Sequence, residues 1–329
     1  ITVFITMFTT SVAGVASSSS PDLFDLAEHK IEKRQEYDVG SSPSINIFNK
    51  FGNITIQEGV DGKIVFYITI TGKGKTNDIA KANAEAVQFV FAKGDDDITV
   101  ITSFFKDFNC NNCSRTVDML VIVPKKTKQI LKNEFGDVRI DRSSEPFEAE
   151  VKFGKFYANE LVTAKLDIEF GGTTLNKCKD LTFKSGFSTS NLGEIGSLVA
   201  KVEFDKLKIE SVEQIDLSSE FTNIAIEKLG DYLVAKKLSY SPLKIKEVAK
   251  DFSKIDIKAS FSKLNIAITE KHDFKAVLST EFGSIKTGNV KFLEKTIVKK
   301  DIVVAMAGKD SNPKALVEIS NSYGDIVFE

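Results

Sequence analysis

Phe135-Gly136-Asp137-Val138-Arg139-Ile140 is the stretch that decides the fold: an aromatic, a small turn residue, then alternating apolar positions. The phrase returns at Phe153-Gly154, Phe170-Gly171, Phe187-Ser188, Phe204-Asp205, Phe221-Thr222, Tyr240-Ser241, Phe261-Ser262 and Phe282-Gly283. From Phe135 on, successive aromatics lie 18, 17, 17, 17, 17, 19, 21 and 21 residues apart. A near-constant period of this size is the signature of stacked repeats.

Each unit holds two strand-like runs, such as Leu207-Lys208-Ile209 and Ile215-Asp216-Leu217-Ser218. Apolar and polar residues alternate in them with the period of a half-buried strand. Gly, Ser, Asp and Asn fill the bends, where their small or self-bonding side chains suit turns. A unit of this length is too short for a helical crossover between parallel strands. It fits one coil, or half of one, in a parallel β-solenoid, for which right-handed winding is the rule. The late units lengthen, and insertions in solenoids map to one face, so Ala249 to Ser253 and Glu270 to Phe274 are expected to project from one side. The phrase lapses over Lys291 to Ala315 and returns as Tyr323-Gly324-Asp325-Ile326. Ile302-Val303-Val304-Ala305 predicts a coil without its aromatic in that gap.

The 329 residues carry 44 Lys+Arg against 46 Asp+Glu, a formal charge of −2, which excludes a basic footprint for nucleic acid. The chain has 26 Phe and no Trp. That surplus reads as a core in which one flat ring is reused coil after coil, because stacked aromatics bury large area. A sugar-stacking platform would rather expose Trp or Tyr, and there are six Tyr.

Ile1 to Phe8 is apolar and Thr9 to Ala16 is rich in small residues, the pattern of a secretory signal with its start missing and a cleavage point near Ala16. With the Ser17-to-Pro21 linker, residues 1–20 form this signal and linker, and 21–36 a polar leader. Residues 37–130 read as a β-rich cap with one helix over 77–91, where Ile79, Ala82, Ala86 and Val90 recur at helical spacing behind the N-cap candidates Thr76, Asn77 and Asp78. Within the cap, Phe51-Gly52-Asn53 is an early copy of the repeat phrase. Residues 131–329 form the solenoid with its closing coil. No later stretch is long and apolar enough for a membrane helix.

Few residues suggest chemistry. Gly72-Lys73-Gly74-Lys75-Thr76 lies between strand and helix, but Thr69 stands where a phosphate-binding loop needs its first Gly. Asp95-Asp96-Asp97 lacks the spaced ligands of a calcium loop and reads as a turn. Cys110 and Cys113 form a Cys-Asn-Asn-Cys pair, read as a loop-clipping disulfide after export, with redox and zinc roles as alternatives. Cys178 stands alone in a repeat turn as an unpaired small side chain. The two histidines, His29 and His272, form no legible catalytic triad. Asp167, Glu169, Glu203 and Asp205 recur beside the aromatic at unit spacing and would be the carboxylates of a sugar-active enzyme; their plain role is surface solubility. No residue is assigned to catalysis, a cofactor or a metal.

Phe51-Gly52-Asn53-Ile54-Thr55-Ile56, the Phe135 phrase and the Tyr323 phrase resemble those of the exported bacterial domains of unknown function named "putative adhesins", common in Bacteroidetes and similar to auto-transporter adhesin heads. The resemblance spans about residues 37–329 and implies an all-β parallel solenoid and a cell-envelope location. The middle units depart by carrying Ser, Asp or Thr in place of Gly. The expected function is a non-enzymatic structural or adhesion module of the periplasm, outer-membrane surface or extracellular space, binding a glycan or an envelope protein through a solenoid face or its inserted turns. The alternatives are a polysaccharide-active β-helix lyase or hydrolase, and a periplasmic sensing or scaffold partner.

Overall fold

The computed structural model describes residues 26–104, 112–269, 271–288, 290, 292–299, 302–307 and 312–329. The signal reading of residues 1–20 and Cys110 lie outside the described residues. The chain divides into two compact units at Gly154/Lys155. It is all-β with one α-helix among the described residues, and its ladders are mostly parallel.

The first unit holds β1 (Ala27–Asp38), β2 (Ser44–Lys50), β3 (Ile54–Glu58), β4 (Lys63–Gly74), α1 (Asn77–Glu85), β5 (Val87–Lys93), β6 (Asp97–Phe104), β7 (Ser114–Val123), β8 (Lys128–Glu134), β9 (Val138–Ser143) and β10 (Phe147–Lys152). β2 and β3 flank the Phe51 bend and form one coil. β2 pairs in parallel with β6 and β8, and β3 with β7 and β9. The early copy of the phrase is therefore a coil, laid beside the Phe135 coil 84 residues further on.

Two segments of this unit differ from expectation. The polar leader is largely strand: β1 pairs antiparallel with β4 along its whole length. Backbone pairing with an existing edge needs no apolar alternation, and the charges of β1 face water as ion pairs, such as Lys30–Glu28 and Lys73–Glu28. The helix is also shorter than 77–91. Thr76 caps it, its hydroxyl accepting from the Ile79 N–H at 3.3 Å. After Ala86 the chain turns into β5, because Val87, Phe89 and Phe91 pair antiparallel with β6 and bring Phe91 against Phe66 and Tyr37. Tertiary pairing here overrides a helical period. The glycines of the Gly-Lys-Gly stretch serve this packing: a Cβ on Gly72 would lie 2.2 Å from the Ala80 carbonyl. The triple aspartate closes the β5–β6 turn, with Gly94 N–H bonded to Asp97 O at 2.8 Å.

The second unit opens with five long strands: β11 (Lys155–Glu169), β12 (Gly172–Gly186), β13 (Thr189–Glu203), β14 (Lys206–Glu220) and β15 (Asn223–Ser239). Each pairs in parallel with the next, and from β11 to β14 the partners are offset by 17 residues, as in Phe156↔Thr173 and Leu192↔Ile209. One sequence unit is thus one full coil. Every inward position stacks on its counterpart: Leu161, Cys178, Ile195, Val212 and Leu229 form one buried file, and Leu166, Phe183, Ala200, Leu217 and Ala235 another. Each fully buried Leu or Ile contributes about 1.5–3 kcal/mol by leaving water.

β16 (Leu243–Ile245), β17 (Lys254–Ser260), β18 (Leu264–Ile266), β19 (Phe274–Glu281), β20 (Ile285–Lys286), β21 (Phe292–Lys299), β22 (Ile302–Ala307), β23 (Ala315–Ser322) and β24 (Ile326–Phe328) complete the unit. The inserted turns do not simply project. Phe252 and His272 are buried in contact at 5.9 Å, and His272 is satisfied by Thr269 and the Val248 carbonyl. The gap in the repeat is no coil either. β21 and β22 form an antiparallel hairpin that continues from β19, because β22 runs antiparallel to both neighbours.

Cys178 occupies the first of these files between Leu161 and Ile195, and burial pushes its thiol up to about 11. Since the thiolate is the reactive form, native protein at pH 8 is expected to leave Cys178 unmodified by a thiol reagent over a time in which denatured protein reacts fully. Peptide mapping by mass spectrometry checks this, and rapid labelling in the native state would contradict the placement.

Candidate functional site

The backbone turns each corner of the coil at the repeated aromatic. Phe51, Phe135, Phe153, Phe170, Phe187, Phe204, Phe221, Tyr240, Phe261, Phe282 and Tyr323 all adopt left-handed backbone, with φ between 50° and 62°. This conformation costs a non-glycine residue roughly 1–2 kcal/mol. Two interactions offset it. The aromatic N–H continues the parallel ladder, as in Phe187 N–H to Glu203 O at 3.1 Å and Phe204 N–H to Glu220 O at 3.0 Å. The ring stacks on the ring of the next coil, worth about 0.5–1.5 kcal/mol per pair.

In the second unit the stack runs Phe170, Phe187, Phe204, Phe221, Tyr240, Phe261, Tyr323, Phe282, with centroids 4.6–5.0 Å apart and planes within 13°. That distance is the spacing of hydrogen-bonded strands, so the ladder sets the ring spacing. In the first unit Phe51, Phe135 and Phe153 stack at 5.1 and 4.8 Å.

These rings are not the core. The eight rings of the second unit are 47–74% exposed. A left-handed corner throws the side chain outward, and the interior is filled by mostly aliphatic files that include Phe156, Phe183 and Phe274. The corner Phe therefore build a surface feature, in which rings cover one another's faces and turn their edges to solvent, while Phe66, Phe147, Phe156, Phe183, Phe252, Phe274 and Phe328 lie in the core.

Where Ser, Asp or Thr follows the aromatic, its side chain points inward, and there the departures from Gly acquire a role. Ser188, Asp205, Thr222, Ser241 and Ser262 are buried. Each accepts the N–H of the same position one coil back: Gly171 N–H to Ser188 Oγ at 3.1 Å, Ser188 N–H to Asp205 Oδ1 at 2.7 Å, Asp205 N–H to Thr222 Oγ1 at 3.1 Å, Thr222 N–H to Ser241 Oγ at 3.2 Å and Ser241 N–H to Ser262 Oγ at 2.9 Å. An amide buried without a partner would cost about 1–3 kcal/mol. At Gly136 and Gly324 the backbones of neighbouring coils approach more closely than a side chain would allow. A Cβ on Gly136 would lie 1.9 Å from Gly52 O, and the carbonyl brought so near accepts from Asn133 Nδ2 at 2.9 Å. Likewise Asn321 Nδ2 donates to Ser262 O at 2.7 Å beside Gly324. The aromatic angles are the same in both kinds of bend.

The proposed carboxylates do not converge. Asp167 and Glu169 pair with Lys184, Glu203 pairs with Lys201, and Asp205 lies inside the polar file. Burial is the main influence on Asp205 and raises its carboxyl above the ordinary carboxylate range, partly countered by the Ser185 hydroxyl and the Ser188 N–H. His29 sits in β1 opposite Gly72 in the first unit, and His272 in the Thr269 turn of the second. Among the described residues no group of three or more His, Cys, Asp or Glu could hold a metal ion. Cys113 is disulfide-bonded and Cys178 is a free thiol. The first unit also carries an open groove of about 380 Å³ lined by Asn49, Lys50, Lys132, Asn133, Glu134 and Glu150 among others, whose lysines pair with its glutamates. The outer strand faces carry exposed ion pairs between register partners, such as Lys184–Asp167 at 2.8 Å and Lys177–Glu194 at 3.9 Å. Each contributes little to stability.

No family model matches the chain, and no curated protein matches it. Among solved structures it is similar to a "putative adhesin" from Bacteroides fragilis, at 15% identity and TM-score 0.32 over 90% of this chain and 97% of that one. A "putative adhesin" from Parabacteroides distasonis follows at 10% and 0.25, over 90% and 97%. A "putative cell adhesion protein" from Clostridium sporogenes stands at 11% and 0.23, over 90% and 98%.

Two outcomes test the bend. Phe204→Ala loses the stack and keeps the strain, whereas Phe204→Gly loses both. The alanine variant is therefore expected to be less stable by roughly 1 kcal/mol in urea unfolding, and equal stabilities would refute strain at the corner. For Asp205, the raised native pKa means that the unfolded chain gives up the proton first. Its stabilising contribution is full below the ordinary carboxylate pKa and is lost as pH rises through the native value. Asp205→Asn, which can still accept from Ser188 N–H, should flatten the decline in melting temperature on that alkaline side, and an unchanged pH profile would exclude the assignment.

Proposed function

We propose that the protein is a non-enzymatic adhesion module of the cell envelope, exported to the periplasm, outer-membrane surface or extracellular space. In this reading it binds a glycan or an envelope protein along the aromatic file of the second unit. The supporting observation is the file itself: eight rings held outward at a strained corner where glycine would sit without strain. Monomeric soluble proteins rarely expose a contiguous apolar stripe without a use for it. The rings present edges, so the ligand would be an extended one making many weak contacts along the file. Right-handed winding of the coils belongs to the same proposal and rests on the handedness rule for parallel crossovers.

The test is a glycan array together with a pull-down from envelope extract, using the full chain and a Phe204→Asn/Phe221→Asn variant, since Asn tolerates the left-handed corner. A ligand retained by the parent and weakened about tenfold or more in a variant that still melts cooperatively would support the reading. Ligands bound equally by both would place recognition elsewhere, and a hydrolysis product from a polysaccharide would overturn the non-enzymatic assignment.

A further inference from the structure

The coils of the second unit are not stacked in sequence order. β23 and β24, latest in the sequence, lie between two earlier coils. β23 pairs in parallel with β17 on one side, from Lys254↔Leu316 to Ser260↔Ser322, and with β19 on the other, from Phe274↔Ala315 to Glu281↔Ser322. β24 pairs likewise with β18 and β20. The ring order repeats this, with Tyr323 between Phe261 and Phe282 at 4.8 and 5.0 Å.

The earlier coils thus form a slot one strand wide. Its walls are specific. Ala315, Val317, Ile319, Ile326 and Phe328 are buried in it. Thr280 Oγ1 donates to Asn321 O at 2.8 Å and Gly324 O at 3.0 Å, and Ser284 Oγ and N–H both donate to Asp325 Oδ1, at 2.7 and 2.9 Å. Residue 324 must be Gly, because a Cβ there would lie 2.1 Å from Ser262 O. The slot therefore reads an Asn-x-aromatic-Gly-Asp segment with alternating apolar residues on both sides.

We propose that this slot is a strand-exchange site whose second occupant is the 315–329 segment of another copy of the chain. Both walls precede the insert in sequence, so a folding chain presents two facing parallel edges before the insert arrives. Unpaired edges are templates for strand addition, and non-local parallel pairing is slow. A second copy supplies an identical complement at no design cost, the condition for exchange of an element between protomers.

Lys258 and Ser320 are register partners with exposed side chains, which gives the test on the full chain. Lys258→Cys and Ser320→Cys variants are unfolded, mixed, refolded together at micromolar concentration and oxidised. The expected product is a heterodimer joined by a disulfide between positions 258 and 320, mapped by mass spectrometry and several-fold more abundant than when the two are mixed after folding. The double variant refolded dilute should lock as a monomer. In a second arm, a labelled synthetic peptide of residues 312–329 is added while the unmodified chain refolds, and should co-elute with it where a scrambled peptide does not. Absence of the mapped link together with no peptide uptake overturns the proposal. Should the cysteine variants not fold, the peptide arm alone decides.

Discussion

The left-handed corner at the repeated aromatic is the constraint on which the rest of the chain depends. A parallel coil can stack only if each turn ends at the same place in register, and a corner of fixed φ every coil secures that. Holding φ near 50–60° in a bulky residue requires over-determination by its surroundings. The ladder bond of the aromatic N–H, the ring stack outside and the polar file inside supply it together. The buried file is the part that cannot be spared, because its amides have no access to water.

The period, the parallel pairing and the inward alternation were legible in the residues, because one-coil offsets repeat the same pattern at each inward position. The direction of the aromatic was not. Periodicity identifies a recurring residue without saying on which side of the backbone it lies, and aromatic burial is the commoner outcome. The signal that could have corrected this is the partner of the aromatic: the following residue is Gly, Ser, Asp or Thr in every coil, and Asn stands two before the aromatic at 49, 133 and 321 where Gly follows. Small polar residues at a bend that never faces outward are what an inward hydrogen-bond file requires.

Pairing between distant segments was equally hidden. β1 has the composition of a leader and β5 the tail of a helical period, and each becomes strand by joining an existing edge. The insertion of β23 between β17 and β19 leaves no trace in spacing, since its phrase is an ordinary copy of the repeat. The candidate site divides the same way. The aromatic positions were all found, while their exposure came from the corner geometry. The dispersed carboxylates were found too, and the register places them in separate ion pairs and in the buried file.

At five successive corners of the second unit, the N–H behind the aromatic is held by the next coil's side chain. Native-state hydrogen exchange at Gly171, Ser188, Asp205, Thr222 and Ser241 tests it most directly. Their amides should be protected to the same degree as the core strand amides of β12 to β14 and exchange only with unfolding of that region. Fast exchange at these five positions beside protected strands would mean open corners, and would contradict the account.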